Sequence, residues 1–288
     1  MRILDGKKTA ADIRLEVKNE VAALKVKTGR VPGLAILIVG ENPASKIYVG
    51  AKVKSCEEVG IYGVNEALPA DVSEEKLLER IAAYNAREDI DGILVQLPLP
   101  SHIDEKKVID AIALAKDVDG FKPESLGLLF LGDKNSLKSC TPAGILELLK
   151  RYDIPIAGKK AVIVGRSNIV GKPMAGLLIT ESATVTVCNS HTKDLGSVTA
   201  QADILIAAMG KAKYIKGPMV KEGAVVIDVG MNREPDGLCG DVDFAEVAPK
   251  TAAITPVPGG VGPMTVAMLL KNTLSAFKMN KKTGKSID

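Results

Sequence analysis

The sequence predicts an α/β protein of two domains, each built around a parallel sheet. Short aliphatic runs alternate with longer stretches of helical spacing, which is the pattern of strands joined by helical crossovers. Aromatic residues make up only 3% of the chain and Trp is absent, so the core has to be built from aliphatic side chains, as in buried parallel strands. A length of 288 residues suits two domains better than one.

The individual elements follow from the same patterns. The predicted strands are apolar runs, at residues 34–39, 92–97, 161–164, 184–188, 204–208 and 225–229. The predicted helices have apolar residues at helical spacing, at residues 44–59, 74–85, 106–115, 143–152, 197–202 and 264–277. Two segments rich in Gly and Pro, 120–139 and 256–263, interrupt the alternation and are predicted to be irregular.

The first irregular segment predicts the domain boundary. We expect one domain at residues 1–139 and a second at residues 140–263. The helix predicted at 264–277 follows the last strand and could pack back on the first domain, so residues 264–288 are assigned to that domain. A chain that crosses between its domains twice also predicts a cleft between them.

Composition argues against several classes of partner. The formal net charge of +3 is nearly balanced, whereas nucleic-acid binding usually needs a basic stripe. A basic cluster near the end is interpreted as a solvated terminus, with a binding tail as the alternative; its members are Lys278, Lys281, Lys282 and Lys285. No leader is recognisable, and no run approaches the roughly 18 apolar residues of a membrane span. We therefore expect a cytoplasmic protein with neither a nucleic-acid nor a membrane partner.

The cysteines and histidines do not form a metal-binding pattern. They are few and widely spaced: Cys56, Cys140, Cys188, Cys239, His102 and His191. A zinc site needs clustered Cys and His ligands, so we expect no metal. Reduced structural thiols are the expected state in a cytoplasmic protein.

Residues 160–173 predict a nucleotide site. An aliphatic strand runs into a turn bounded by Gly165 and Gly171 and then into a helix, the context in which a dinucleotide pyrophosphate binds helix N-terminal amides. The spacing departs from the common GxGxxG pattern, because Ser167 stands at the second glycine and the last glycine comes one residue late. An ordinary strand-to-helix turn is the alternative. With a nucleotide bound here, the second domain would be Rossmann-like.

The end of the following strand bears on which dinucleotide binds. Enzymes that use NAD usually carry an acid at this place for the ribose hydroxyls, and residues 187–192 contain none. Arg166 and Ser190 offer a guanidinium and a hydroxyl instead, and these suit a 2′-phosphate that an acid would repel. NADP is therefore predicted in preference to NAD.

Polar residues of the first domain predict a second site. Ser45, Tyr48 and Lys52 lie at i, i+3 and i+7 of a predicted helix and share one face, for which a solvated surface is the alternative. Gln96 lies in an otherwise apolar strand, so it must find a hydrogen-bond partner or suffer desolvation. Prolines stop that strand at its carboxyl end, where the sites of α/β proteins lie. Asp119 follows in a loop that could, by itself, be only a turn.

Several blocks of the chain together resemble one family. They occur in the family's order and span almost the whole chain, at residues 44–52, 92–100, 116–121, 165–173 and 256–266. The family is that of the bifunctional methylenetetrahydrofolate dehydrogenase/cyclohydrolases. The resemblance implies that NADP oxidises methylenetetrahydrofolate to the methenyl form, which is then hydrolysed to 10-formyltetrahydrofolate. It also implies tetrahydrofolate derivatives as ligands and a homodimer.

The resemblance implies roles for single residues as well. Lys52 would be the catalytic lysine, with Tyr48 stacking near the folate. Gln96 would hydrogen-bond Lys52, and Asp119 would hold the pterin edge, which completes the catalytic set. The residues bordering the folate beside the nicotinamide would be Pro258, Gly259, Gly260 and Val261. The residues meeting the cofactor would be Gly165, Arg166, Ser167, Gly171 and Ser190.

The chain departs from the family's usual residues in loops and near the predicted cofactor, at Leu114, Asn189, His191 and Ala212. Two other functions stay open. One is another NADP-dependent dehydrogenase of similar layout that acts on a small hydroxy acid or amino acid. The other is a nucleotide-sensing regulator without catalysis, which the presence of Lys52, Gln96 and Asp119 argues against.

Overall fold

The computed structural model describes residues 1–235 and 237–283, apart from the side chains at positions 43, 44, 47 and 281–283. The strands, in chain order, are β1 (Arg2–Ile3), β2 (Gly33–Val39), β3 (Tyr62–Leu68), β4 (Gly92–Val95), β5 (Lys160–Val164), β6 (Thr184–Cys188), β7 (Ile204–Ala207), β8 (Val225–Asp228), β9 (Asn232–Glu234), β10 (Gly237–Cys239) and β11 (Ala253–Ile254). The α-helices, in chain order, are α1 (Gly6–Thr28), α2 (Pro43–Val59), α3 (Glu74–Ala86), α4 (Glu105–Ala111), α5 (Pro123–Phe130), α6 (Cys140–Arg151), α7 (Gly171–Thr180), α8 (Leu195–Thr199), α9 (Phe244–Val247) and α10 (Val261–Thr283).

The chain divides into two compact units, each made of two chain segments. The three-strand unit contains Asp12–Cys140 and the chain from Val266 onward, and the six-strand unit contains Met1–Ala11 and Thr141–Thr265. Met1–Ala11 groups with the later part of the chain because β1 pairs in parallel with β11. The predicted domain bounds place these residues with the first domain instead.

The three-strand unit contains a parallel sheet in the order β3-β2-β4. Every residue of β2 is buried, as expected for a central strand covered on both faces. A bridge between Ile93 and Asp117 brings the segment after α4 alongside β4. The residues that follow β4 and the loop after Asp117 therefore lie near the same end of this sheet.

The six-strand unit contains a parallel sheet in the order β1-β11-β8-β7-β5-β6. Strand β5 lies between β6 on one side and β7 on the other, so the order of the chain reverses at β5. In open α/β sheets, ligands bind outside the carboxyl ends of the strands at such a reversal. The prediction of two α/β domains with parallel sheets is confirmed, and the cleft stays a prediction.

Several elements differ from the sequence prediction. Segment 120–139 contains α5, which Pro123 begins in the position where a missing N–H costs nothing. Helix α10 begins at Val261, inside the segment expected to be irregular. Within the described residues, no helix is both long enough and apolar enough to cross a membrane. Of the predicted basic terminus, Lys278 pairs with Glu20, and the other three lysine side chains lie outside the described residues.

Candidate active site

Lys52 and Gln96 are joined by a direct hydrogen bond. Helix α2 carries Lys52, and Gln96 is the first residue after β4. The Nζ atom of Lys52 donates to Oε1 of Gln96 at 3.0 Å. The amide nitrogen of Gln96 donates in turn to the carbonyl of Leu97 at 2.7 Å, which orients the amide so that its oxygen is presented to the lysine. Gln96, predicted to lie within the strand, directly follows it instead, and both ends of its amide are hydrogen-bonded.

Tyr48 lies one helical turn before Lys52 on α2, so the two side chains share a face. The tyrosine is 38% exposed, which leaves its ring accessible to a ligand. Burial of the remainder raises the pKa of its hydroxyl, and the phenol therefore stays protonated at neutral pH.

The two aspartates of the loop after α4 have different environments. Asp117 is buried and accepts hydrogen bonds from the backbone of Phe121 at 3.2 Å, the backbone of Lys122 at 2.9 Å and the hydroxyl of Ser125 at 2.6 Å. Its carboxylate is used to hold the loop at the start of α5. Asp119 has no such backbone partners among the described residues and is available to a ligand.

Asp119 is partly buried and lies close to the lysine. Burial raises the pKa of its carboxyl to about 6, while the charge of Lys52 opposes the rise and that of Asp117 adds to it. The thiol of Cys140 lies within hydrogen-bonding reach and favours the ionised form. The structure therefore brings Lys52, Gln96 and Asp119 together, with Tyr48 on the same helix face.

The predicted nucleotide turn joins β5 to α7 with very close backbone packing. Gly165 has φ +130°, and a Cβ there would lie 2.1 Å from the carbonyl oxygen of Ala208. A Cβ on Gly171 would lie 2.2 Å from the carbonyl oxygen of Gly165. Both positions therefore require glycine. A side chain on Gly165 would meet the backbone that follows β7, and one on Gly171 would force α7 away from the end of β5.

Ser167 and Arg166 occupy the turn itself. The hydroxyl of Ser167 accepts hydrogen bonds from the backbone of Val170 at 3.1 Å and of Gly171 at 3.4 Å, so it binds the first amides of α7. Arg166 is exposed, and within residues 1–235 and 237–283 its guanidinium has no hydrogen bond or ion pair. A cation without a partner at the carboxyl end of β5 is suited to a bound anion.

Ser190 lies at the tip of a tight turn after the neighbouring strand β6. The backbone N–H of Asn189 donates to the hydroxyl of Thr192 at 2.9 Å, and the backbone N–H of His191 donates to the Asn189 side chain at 3.0 Å. Val164 and Cys188 are register partners, so Arg166 and Ser190 each stand two residues beyond a matched pair. The sheet therefore brings the guanidinium and the hydroxyl to the same edge.

The glycine-rich segment before α10 is held by the start of α1. The backbone of Lys7 donates to the carbonyl of Gly259 at 2.9 Å, and a Cβ on Gly6 would lie 1.7 Å from the carbonyl oxygen of Gly260. Gly259 has φ +108°, a conformation that strongly favours glycine. Pro258 is exposed, whereas Gly260 and Val261 are buried.

Comparisons with known proteins identify the family. Residues 4–119 match the tetrahydrofolate dehydrogenase/cyclohydrolase catalytic domain, and residues 139–281 match the NAD(P)-binding domain of the same enzymes. The chain belongs to the tetrahydrofolate dehydrogenase/cyclohydrolase family. The resemblance inferred from the sequence is thereby confirmed.

Individual members of the tetrahydrofolate dehydrogenase/cyclohydrolase family are similar over nearly their full length. The bifunctional protein FolD of Moorella thermoacetica is 60% identical over 96% of this chain and 99% of its own. The crystal structure of the Campylobacter jejuni bifunctional enzyme FolD has a TM-score of 0.95 at 49% identity, covering 97% of this chain and 99% of that one. The Trypanosoma brucei enzyme, complexed with NADP cofactor and inhibitor, has a TM-score of 0.92 at 40% identity, covering 97% and 98%. These matches do not favour another dehydrogenase or a regulator.

Sequence reasoning missed a pair of buried acids, Asp228 and Asp241, at the carboxyl ends of β7 and β8. Asp241 accepts hydrogen bonds from the backbone of Met209 at 2.7 Å, of Gly210 at 2.9 Å and of Lys211 at 2.8 Å, and so holds the loop after β7. Asp228 accepts the backbone N–H of Asp241 at 2.9 Å, and burial raises the pKa of Asp228 to about 6. The detectable signal was an aspartate directly ending the apolar strand β8.

In the described part of the chain, the acidic residues do not form a metal centre. No group of three or more His, Cys, Asp or Glu residues is placed to hold a metal ion there. The acidic pair Asp228 and Asp241 is satisfied instead by backbone N–H donors.

Proposed function

We propose that this protein is bifunctional. In the first reaction, 5,10-methylenetetrahydrofolate is oxidised to 5,10-methenyltetrahydrofolate with NADP; in the second, that product is hydrolysed to 10-formyltetrahydrofolate. The observation that carries the proposal is the hydrogen-bonded pair of Lys52 and Gln96 beside Asp119, in a chain that matches both domains of the family.

The residues of the nucleotide turn fit NADP. Because Gly165 and Gly171 carry no Cβ, the backbones of the turn pack closely and keep the start of α7 at the carboxyl end of β5, where a pyrophosphate can meet a helix N-terminus. Arg166 and Ser190 stand at the same sheet edge, and we assign them to the 2′-phosphate. NADP, when bound, supplies a hydride acceptor; the protein's part in that reaction is to orient the two ligands. Pro258, Gly259, Gly260 and Val261 are proposed to border the folate.

The catalytic residues divide the remaining work. Asp119 is proposed to accept hydrogen bonds from the pterin edge, and Tyr48 to stack against the folate. Lys52 is proposed to move a proton when water adds to the cationic methenyl carbon, a reaction that needs acid–base help but no metal. Gln96 keeps the Lys52 amine in place through the 3.0 Å bond. A homodimer and a cytoplasmic location are further proposals that rest on the resemblance and on the sequence.

The decisive experiment replaces Lys52 by Met. The substitution keeps the apolar stem and removes the amine, so folding should survive while hydrolysis falls about 10²- to 10⁴-fold, the usual loss of general acid–base help. The dehydrogenase should fall by less, since hydride transfer depends mainly on alignment. NADPH formation and the decay of methenyl absorbance would be followed separately on one preparation.

Lys54→Met is the matched control, because Lys54 lies on the same helix and is exposed. It should leave both rates near those of the wild type. Near-normal hydrolysis in a folded Lys52→Met protein would exclude the lysine from the mechanism. A wild-type protein that neither reduces NADP with methylenetetrahydrofolate nor hydrolyses the methenyl form would overturn the proposed function.

A further inference from the structure

The backbone on both sides of Asp119 is held by side chains from elsewhere in the chain. The carbonyl before it, of Val118, accepts the thiol of Cys140 at 3.3 Å. The carbonyl after it, of Gly120, accepts the hydroxyl of Ser139 at 2.9 Å. Asp119 thus stands between two anchored peptide groups, and its backbone has little freedom to move.

Asn272 adds a third contact from the last helix. Its amide nitrogen donates to the carbonyl of Val118 and to that of Lys138, both at 2.8 Å, and lies 3.6 Å from the sulfur of Cys140. Asn272 is only 7% exposed, in a largely apolar part of α10. A buried side-chain amide destabilises the fold through desolvation unless it is hydrogen-bonded, and both N–H donors of Asn272 are hydrogen-bonded here.

The backbone at Gly120 also packs directly against the backbone of Lys138 and Ser139. Gly120 has φ +66°, and a Cβ there would lie 2.6 Å from the backbone of Lys138 and Ser139. On the far side, Asp117 holds the backbone of Phe121 and Lys122. Hydrogen bonds therefore hold the loop both at Asp119 and immediately after it.

We propose that Ser139, Cys140 and Asn272 form a clamp that positions Asp119 for the pterin ring, and that the clamp sets folate affinity without touching the substrate. The inference rests on the proposed function, because it takes Asp119 as the folate-binding carboxylate. Burial raises the pKa of the Cys140 thiol well above its usual value, so the thiol stays protonated and keeps its donor. The clamp residues are positioning residues.

The clamp predicts a selective effect on one ligand. Three single variants each remove one clamp contact: Ser139→Ala, Cys140→Ala and Asn272→Leu. In each of them the Asp119 carboxylate should be displaced. The KM for methylenetetrahydrofolate should then rise about 10- to 100-fold, because small misplacements of a binding group are costly. The KM for NADP should stay within about twofold, because no clamp residue belongs to the nucleotide turn. Cys140→Ser keeps a donor and should restore most of the folate affinity.

Thr273→Val is the matched control for loss of stability. Thr273 is fully buried beside Asn272, but among the described residues its hydroxyl bonds only the carbonyl of Leu269 within α10. It should lower the melting temperature and leave both KM values unchanged. Ser139→Ala keeps the test available should Asn272→Leu fail to fold.

Two measurements separate the clamp from the function on which it rests. Steady-state kinetics give both KM values, and a binding titration with tetrahydrofolate gives its dissociation constant without turnover. Clamp variants that bind tetrahydrofolate as tightly as the wild type, or that raise both KM values equally, would overturn the clamp. If the wild-type protein binds tetrahydrofolate but does not oxidise the methylene form, the proposed function is overturned. The tetrahydrofolate titration of the clamp variants then still decides whether the clamp sets folate affinity.

Discussion

Asp117 and Asp119 show how two identical side chains, two positions apart, acquire different chemistry. Asp117 accepts three hydrogen bonds that hold the loop at the start of α5, and it serves the fold. Asp119 is partly buried, and burial raises its pKa to about 6. A carboxyl with this pKa changes its charge just below neutral pH, where an effect on activity can be measured.

The pH dependence of folate use should therefore show Asp119. A carboxylate that accepts hydrogen bonds from a pterin must be ionised, so kcat/KM for methylenetetrahydrofolate should fall as the pH drops below about 6. The fall should approach tenfold per pH unit. In Asp119→Asn the whole profile should be low and this limb should be absent, whereas Asp71→Asn, at an exposed position, should keep it. Persistence of the limb in Asp119→Asn would assign it to another group.

Arg166 provides a test of cofactor choice. Arg166→Ala removes a guanidinium that, among the described residues, has no partner at the end of β5. The free energy of NADP binding should weaken by about 1.5–3 kcal/mol, because a charge-assisted contact is lost. NAD binding should change little. Fluorescence titration of both dinucleotides is the measurement, with Lys221→Ala as the control because that exposed lysine lies outside the nucleotide turn and pairs with Asp203 at 2.6 Å. An equal loss for both dinucleotides would show that Arg166 does not recognise the 2′-phosphate.

The junction of β5 and α7 depends on two backbones in direct contact. Gly171 lies at the start of the helix and Gly165 at the end of the strand, and no side chain fits between them. The Ser167 hydroxyl accepts the backbone N–H of Val170, just before the helix, and that of Gly171, its first residue. The geometry of the phosphate site thus depends on how closely α7 approaches β5.

Gly171→Ala should open this junction. The new Cβ would lie 2.2 Å from the carbonyl of Gly165, so the helix start must shift, with a loss of about 1–3 kcal/mol in unfolding free energy. NADP affinity should fall at least about tenfold, since the helix amides move with the backbone. Chemical denaturation and NADP titration measure the two effects.

Gly196→Ala is the control at the start of a neighbouring helix, where the added Cβ meets only Met219 at 3.7 Å. That substitution should be neutral or slightly stabilising, because alanine favours a helix. An equal response of both variants would mean that packing at Gly171 is unimportant.

At the level of elements, the sequence predicts best what is buried on all sides. Strands β2, β5 and β7 are continuous aliphatic runs and were predicted within a residue or two. Strand β3 lies at the edge of its sheet and alternates partly buried with exposed residues, so it has no apolar run. Helix α1 was missed because its polar face dominates its composition, and β1 and β11 are only two residues long.

For the whole molecule, family motifs predict the residues of the site better than their supports. Lys52, Gln96 and Asp119 lie in recognisable blocks, and the structure brings them together. Asn272 and Cys140 could not be found in this way, because their partners are backbone carbonyls. The partners of Asn272 are also more than 100 residues away in the chain. A hydrogen bond to a carbonyl leaves no complementary residue in the sequence. The hint available was the amide of Asn272 in the mainly apolar first part of α10.

The discontinuous units also determine the order in which the protein can be built on the ribosome. The three-strand unit is completed only by the chain after Val266, where Phe277 is 1% exposed and lies under the Arg30 guanidinium. Translation must first produce the intervening Thr141–Thr265, which takes roughly 6–25 s at 5–20 residues per second. Throughout that interval the nascent unit exposes the apolar surface that later covers Phe277, and this is the time in which a holdase chaperone could bind it.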